Sequence, residues 1–147
     1  MAVIRIPEEA KPLLRLCRKH DFSPTETEGQ PCFETYADLM VFTASCGFAE
    51  MEGKLPQRKK KVYLDRPNPI DLSIFKTDKR FPQILLIALA TSLDQNIVRN
   101  EDLICKLVED YAVVGCEKLT RIIGKHGDGR EHIELAAILS EHSDNKI

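Results

Sequence analysis

The sequence predicts a mainly α-helical protein, with about five helices in a compact bundle and a small two-stranded β-hairpin. Apolar residues recur at helical spacing through most of the chain, and capping residues or glycines stand at the ends of these segments. Only one short region alternates apolar and polar residues as a strand does. Because no internal repeat and no linker is visible in the 147 residues, we expect a single domain, residues 1–147, with a polar tail from about residue 140.

The composition is that of an ordinary globular protein, with 43% hydrophobic and 30% charged residues. The longest uninterrupted apolar run, Ile84 to Ala90, is far shorter than the roughly 20 residues that cross a bilayer. The first residues lack the basic stretch and the long apolar core of a signal peptide. We therefore expect a cytoplasmic protein with no membrane association.

The first helix is expected from Pro7 to about His20. Proline is favoured in the first turn of a helix, and the two glutamates that follow Pro7 suit the positive end of the helix dipole. Pro12 leaves open a later start, nearer Ala10, with this proline in the first turn. Residues 21–31 contain two prolines, a glycine and several polar side chains, which is typical of a loop. The apolar stripe of the helix would comprise Leu13, Leu14, Leu16 and Cys17.

The second helix is the most distinctive segment, because it is almost wholly apolar. Thr35 has the residue type of an N-cap, and Asp38 stands three positions later, which is the spacing of a capping box. Gly47 is expected to end the helix in the left-handed conformation. A helix with so little polar surface must be surrounded, either by its own domain or by a second subunit. Its apolar residues are Leu39, Met40, Val41, Phe42, Ala44 and Cys46.

Two short strands are expected next, at Val62–Leu64 and Ile70–Phe75. The second strand alternates apolar with polar residues. The two prolines between the strands, within Arg66 to Pro69, are typical of a turn. Together these features predict a small hairpin packed on the helices.

The third helix is expected from about Phe81 to Leu93. Thr77 or Asp78 would cap it, and Pro82 would lie in its first turn. Because leucine and isoleucine occupy most of its positions, we expect another buried element.

The fourth helix is the longest, running from a cap at Asn100 to a stop at Gly124. At 1.5 Å per residue it would span about 35 Å, which is the width of a small domain. A last helix is expected after Asp128, with Glu131 in its first turn. The apolar residues of that last helix are Ile133, Leu135, Ala136, Ile138 and Leu139.

The five cysteines do not form a recognisable metal or disulfide pattern. Their number is odd, their spacing is irregular and no CxxC pair occurs. Most of them stand inside or beside apolar patterns, so we expect small buried side chains in a reducing compartment. Zinc or disulfide roles are the alternative. The cysteines are Cys17, Cys32, Cys46, Cys105 and Cys116.

The basic segment, Lys54 to Arg66, is the one strongly basic run in a chain whose net charge is −2. It carries six cations and one anion, so the rest of the chain is acidic. Four cations stand in succession from Arg58 to Lys61, and they cannot all be ion-paired inside one small fold. They are either solvated or bind a polyanion such as a phosphate backbone. The predicted nucleic-acid contacts are Lys54, Arg58, Lys59, Lys60, Lys61 and Arg66, with Tyr63 available to stack on a base.

A second, weaker signal for an anion is the glycine-rich stretch from Gly124 to Arg130, which precedes a predicted helix. Its spacing matches neither a phosphate loop nor a dinucleotide-binding turn. It is either a plain helix connector that ends at the cap Asp128 or an anion site that uses Lys125 and Arg130.

The sequence predicts no enzyme, no metal and no cofactor. His126 and His132, with the acidic residues between them, fit no common zinc spacing. The adjacent carboxylates Glu109 and Asp110 would point about 100° apart on a helix, so they do not converge as an acid–base pair.

Four stretches occur in a characteristic order: the helix Thr35–Phe48, the short segment Pro69–Phe75, the helix segment Leu86–Asp94 and the long-helix segment Glu109–Leu119. They cover most of residues 33–123, and they resemble a small family of dnd system-associated, or DNA phosphorothioation-associated, proteins. The same helix order is similar, more distantly, to the DndE-like proteins, small helical components of the sulfur-modification machinery that are implicated in DNA binding and oligomerisation.

The resemblance implies an accessory of a DNA phosphorothioation-linked modification or restriction system, in other words a defence system, and not its sulfur-transfer enzyme. Combined with the basic segment, it predicts a protein that contacts DNA. Other proteins of the dnd system, and further copies of the chain itself, are the other expected partners. The alternative is a scaffold without DNA affinity that assembles proteins of the same system through the apolar helix Tyr36–Phe48.

Overall fold

A computed structural model of the protein describes residues 2–17, 32–57, 61–77 and 79–124. The predicted fold class is confirmed, because these residues are mainly helical with one small two-stranded antiparallel sheet. The loop predicted at 21–31 and the last helix predicted after Asp128 lie outside the described residues. In chain order the elements are β1 (Val3–Ile4), a first 3₁₀ helix (Glu8–Leu16), α1 (Tyr36–Glu50), β2 (Ile70–Asp71), α2 (Leu72–Thr77), α3 (Phe81–Ser92), a second 3₁₀ helix (Gln95–Arg99) and α4 (Glu101–Gly124).

Helix α1 begins where the capping pattern predicts. The Thr35 hydroxyl accepts a hydrogen bond from the backbone N–H of Asp38 at 3.2 Å, and it donates to the Asp38 carboxylate at 3.2 Å. The end of the helix differs from the prediction, because α1 continues to Glu50 and Gly47 lies inside it. The glycine in the left-handed region is Gly53, with φ +79°, beyond the helix end.

Gly47 has a packing role that replaces its predicted role as a helix stop. A Cβ atom on Gly47 would lie 1.8 Å from the carbonyl oxygen of Tyr111 in α4. A Cβ atom on Gly115 would lie 1.8 Å from the carbonyl oxygen of Thr43 in α1. The two backbones therefore touch at both positions, and only glycine permits this approach. The α1–α4 contact is the most extensive between any two of the described elements.

The first helical segment is a 3₁₀ helix and not the longer α-helix that the sequence pattern predicts. Pro7 is its N-cap, and Pro12 lies inside it. Proline in a helix interior removes a backbone donor and clashes with the carbonyl four residues earlier, which disfavours α-helical bonding. The buried residues Ala10, Leu13 and Leu16 repeat every three positions, which is the 3₁₀ period.

The small sheet pairs different segments from those predicted. β2 is antiparallel to β1 near the N-terminus, with Ile4 opposite Ile70, and residues 62–64 are not its partner. The predicted second strand turns into α2, because the Asp71 carboxylate accepts the backbone N–H of Ser73 at 2.9 Å and caps that helix. The N-terminal segment thus pairs with parts of both predicted strands, which do not form a hairpin with each other.

Helix α3 begins at Phe81 with Pro82 in its first turn, as predicted. Neither predicted cap is observed: Thr77 belongs to α2, Asp78 lies outside the described residues, and the N-cap position holds Arg80 without a side-chain capping bond. The expectation of a buried element is only partly correct. Its buried residues are Ile84, Ile87 and Ala88, whereas Leu86 is 67% exposed and the C-cap Leu93 is 89% exposed.

Helix α4 follows the prediction closely. The Asn100 side chain accepts the backbone N–H of Leu103 at 3.2 Å, as an N-cap does. Gly124 is still helical, and the chain after it lies outside the described residues. Tyr111 is fully buried at the middle of α4, and its hydroxyl is 2.9 Å from that of Thr91 in α3. Within the described ranges, no helix combines the length and the apolar character that crossing a membrane requires.

Candidate nucleic-acid interface

The basic segment starts at the C-terminal end of α1, where the backbone turns sharply. Glu52 and Gly53 have φ values of 53° and 79°, both in the left-handed region. The backbone N–H of Gly53 donates to the carbonyl of Phe48 at 3.1 Å, and that of Lys54 donates to Met51 at 3.0 Å. The chain therefore leaves the helix through a hydrogen-bonded turn, and Lys54 is exposed at its end.

The other end of the basic segment is attached to the N-terminal part of the chain. Tyr63 forms an isolated antiparallel bridge with Pro7. Two backbone hydrogen bonds flank this bridge, from the N–H of Leu64 to the carbonyl of Ile6 at 2.8 Å and from the N–H of residue 8 to the carbonyl of residue 62 at 3.0 Å. The segment is therefore fixed to the fold at both ends.

Three predicted phosphate contacts lie in the described part of the segment: Lys54, Lys61 and Arg66. All three side chains are exposed, and none has an ion-pair partner among the described residues. Four ion pairs between described residues lie elsewhere: Arg5–Glu109, Lys76–Glu101, Arg80–Asp38 and Lys118–Glu50. The positive charge of these three residues is thus not neutralised by a neighbouring carboxylate of the described chain.

The remaining predicted contacts fall outside the described residues. These are Arg58, Lys59 and Lys60 in the basic segment, and Lys125 and Arg130 in the glycine-rich stretch. Their roles stay predictions from the sequence.

Tyr63 is half-buried and lies against a cation that the sequence pattern does not single out. The guanidinium carbon of Arg5 is 3.8 Å from the centre of the Tyr63 ring, a cation–π distance. One face of this ring is therefore covered by the chain itself. Stacking of a base on Tyr63 stays a prediction, and it would use the opposite face of the ring.

Arg5 is held by a buried carboxylate of α4. Its Nε donates to Oε2 of Glu109 at 3.0 Å and its Nη2 donates to Oε1 at 2.9 Å, which is the bidentate geometry of a strong pair. The backbone N–H of Arg5 donates to the same Oε2 at 2.7 Å. The Glu109 side chain is 2% exposed and that of Arg5 is 46% exposed. The hydrogen bond to Glu109 is the main cause that raises the pKa of Arg5 above its usual value.

The sequence carries a partial signal for this pair. Glu109 stands among the apolar positions of α4, and a carboxylate on a buried face requires a cation or hydrogen-bond donors. Arg5 stands between Ile4 and Ile6, which are both buried, so strand alternation turns it away from the core. The sequence does not show that these two residues meet, because 104 positions separate them.

Comparison with known protein families matches residues 4–146 to the family described as DNA sulphur modification system-associated protein 4. The chain belongs to this family. The resemblance that the four ordered stretches predict is thereby confirmed. Comparison with curated proteins and with solved structures gives no match.

In this member of the family, four of the five cysteines have the character of buried structural residues, and Cys32 is partly exposed. All five lie in the described part of the chain and none forms a disulfide. Burial is the main cause that raises the pKa of Cys46 to about 11 and those of Cys17, Cys105 and Cys116 to about 12. At neutral pH these four thiols are therefore protonated, which makes them poor nucleophiles and poor metal ligands.

The described residues show no group of three or more His, Cys, Asp or Glu side chains that could hold a metal ion. The stretch from His126 to His132, considered above for zinc, lies outside these residues.

Two shallow depressions mark the described surface, with volumes of about 540 and 480 Å³. The first lies at the start of α4, and the second lies between α4 and the first 3₁₀ helix. Neither is lined by a residue of the basic segment. A polyanion bound to the segment would therefore not lie in either of these depressions.

Proposed function

We propose that the protein is a non-enzymatic accessory of a DNA sulphur modification system and contacts DNA phosphates through the basic segment. Membership of the family supports the first part of this proposal. The second part rests on one structural observation: the segment is anchored at both ends, while Lys54, Lys61 and Arg66 are exposed and have no ion-pair partner among the described residues.

Such cations suit binding to a phosphate backbone. Each cation that neutralises a phosphate releases a condensed counterion, so the affinity falls as salt rises. Phosphate contacts position a protein on DNA without reading the sequence of bases. Under this proposal, the protein binds DNA of any sequence in the cytoplasm. Other proteins of the modification or restriction machinery catalyse the chemical steps.

A binding titration over a series of salt concentrations tests this function. We expect labelled duplex DNA to bind the wild-type protein in a fluorescence-polarisation assay, with an affinity that falls steeply with salt. Substituting Lys54, Lys61 and Arg66 together by Gln should flatten the slope of log affinity against log salt by about 0.9 for each phosphate that the variant no longer neutralises.

The matched control removes three exposed cations elsewhere: Lys11, Arg99 and Lys106, each substituted by Gln. It changes the net charge equally, so we expect its salt slope to stay close to that of the wild-type protein. Equal flattening by both triple variants would reject the basic segment as the contact surface. Adding nicked and phosphorothioate-containing duplexes to the same titration would show whether the protein prefers one form of DNA.

The second candidate function is that of a scaffold that assembles proteins and has no affinity for DNA. The exposure of leucines favours a different protein-binding surface from the apolar helix that the sequence predicts. The apolar helix Tyr36–Phe48 lies within α1, and eight residues of α1 are buried within the chain itself. The two most exposed leucines of the described residues are Leu86 in α3 and Leu93 at its C-cap. If this candidate holds, the wild-type protein shows no binding to DNA even at low salt. Substituting both leucines by Asp then abolishes co-purification with co-expressed proteins of the system.

A further inference from the structure

We propose that Arg5 is an additional phosphate donor of the same interface, and that Glu109 is the residue that positions it. This inference rests on the proposed function, because it assumes that DNA lies on the basic segment. It adds a residue that lies 49 positions before Lys54 in the chain but touches the segment in the fold.

The guanidinium of Arg5 has a fixed position. Two of its nitrogens are bound to the two oxygens of Glu109, and its central carbon lies 3.8 Å from the centre of the Tyr63 ring. The backbone N–H of Arg5 is bound to the same carboxylate, so the main chain is held as well as the side chain. An arginine restrained in this way loses little conformational entropy when it binds a further group.

The same guanidinium has donors left for a ligand. Arginine has five N–H donors in a planar fork, and Glu109 accepts from Nε and Nη2. Nη1 donates to no residue of the described chain, and nearly half of the side chain is exposed. The ligand class that this geometry suits is an anionic oxygen such as that of a phosphodiester.

The contribution of Arg5 to binding differs in kind from that of the exposed cations. Its charge is balanced by Glu109, so the pair adds little to long-range attraction. Its contribution is an oriented hydrogen bond at short range. Loss of Arg5 and Glu109 together should therefore weaken binding by a similar factor at every salt concentration, whereas loss of Lys61 should also change the salt slope.

The main test uses the double variant R5Q/E109Q in the same titration. This variant keeps the net charge and does not leave a buried carboxylate without its cation, which would be strongly destabilising. We expect about tenfold weaker binding to duplex DNA with an unchanged slope. The matched control K76Q/E101Q removes another ion pair of zero net charge and should bind as the wild-type protein does. Wild-type affinity in R5Q/E109Q would overturn the inference.

Amide hydrogen exchange separates a direct contact from a loosened segment. The N–H groups of Glu8 and Leu64 report the backbone bonds beside the Pro7–Tyr63 bridge. Weaker DNA binding with unchanged protection of these amides supports Arg5 as a donor. Weaker binding together with reduced protection would overturn its direct role.

The single variant E109Q tests the positioning role of Glu109. Removal of its charge leaves Arg5 less oriented and without its paired carboxylate, so we expect a salt slope that is steeper by up to about 0.9. A purely structural glutamate would change stability without steepening the slope, and an unchanged slope would therefore reject the positioning role. If the wild-type protein fails to bind at low salt, the proposed function itself fails; if the wild-type protein binds and R5Q/E109Q is unaffected, only this inference fails.

Discussion

Helices α1 and α3 are both almost entirely apolar in sequence, yet the fold treats them differently. In α1 eight of fifteen residues are buried, and α4 approaches it until the two backbones touch. In α3 three of twelve residues are buried, and the two most exposed leucines of the described residues lie in this helix and at its C-cap. An apolar composition therefore predicts that at least one face of a helix packs against other residues. It does not predict how many faces of the helix are covered by other parts of the same chain.

Small residues explain much of this difference. Gly47 in α1 and Gly115 in α4 each meet the carbonyl oxygen of the facing helix, so the contact surface extends to the backbone. Helix α3 has no glycine, and it contacts α4 through side chains, including the Thr91–Tyr111 hydroxyl pair. Because the backbones of α1 and α4 approach so closely, a larger part of the α1 surface is buried than side-chain contacts can bury on α3.

The sharpest test of the comparison is the same substitution on both helices. Leu39 in α1 is fully buried, so we expect Leu39→Ala to lower the free energy of unfolding by about 4 kcal/mol through reduced burial and a cavity. Leu86 in α3 is exposed, and Leu86→Ala should change it by less than about 0.5 kcal/mol. Urea denaturation of both variants measures this. Similar losses at the two positions would mean that α3 is covered as α1 is.

A second test addresses the backbone contact between α1 and α4. Gly115→Ala places a methyl group against the Thr43 carbonyl, so we expect a loss of about 3 kcal/mol in the free energy of unfolding. Gly124→Ala is the matched control on the same helix, because a Cβ atom there meets nothing within 4 Å. It should be neutral or slightly stabilising. Denaturant titration checks both, and a neutral Gly115→Ala variant would contradict the close approach of the two helices.

The alkaline pH dependence of stability provides a third test, because α4 carries the buried thiols of Cys105 and Cys116 and α3 carries none. Burial raises the pKa of Cys116 from about 9 to about 12. Its stabilising contribution is therefore complete below pH 9 and is lost between pH 9 and 12, where the unfolded chain ionises and the folded chain does not. We expect a loss of about 1 kcal/mol from this thiol between pH 9 and 10.

Denaturation of the wild-type protein and of Cys116→Ala at pH 8, 9 and 10 measures that contribution. The variant should lose less stability than the wild-type protein over this range. Parallel pH profiles would show that the Cys116 thiol is accessible to solvent in the folded protein.

The smallest expected effect concerns the C-cap of α3. Leu93 has φ 57°, which is unfavourable for a residue with a Cβ atom, and its side chain is almost fully exposed. Leu93→Gly should raise the free energy of unfolding by about 0.5 kcal/mol. Leu86→Gly, inside the same helix, should instead lower it by about 1 kcal/mol. A destabilised Leu93→Gly variant would show that Leu93 packs against another part of the protein.

Most of the correct predictions depend on short stretches of sequence. Thr35 and Asn100 were identified as caps from the residues within a few positions of them, and the structure confirms both. Four ordered stretches were enough to indicate the family, and the match over residues 4–146 confirms it. For the candidate interface, the sequence indicated the basic segment but not Arg5, because the segment is contiguous and the Arg5–Glu109 pair is not.

The sequence by itself thus determined the helical fold class, the start of the two main helices and the position of the basic segment. Each of these features depends on residues that are neighbours in the chain, so a short stretch of sequence is enough to predict it. Only the tertiary structure decided that Ile70–Asp71 pairs with Val3–Ile4, that Gly47 serves packing and not termination, and that Glu109 holds Arg5 beside Tyr63. These outcomes depend on which distant surfaces meet, and alternation or a glycine in one segment does not specify its partner in another.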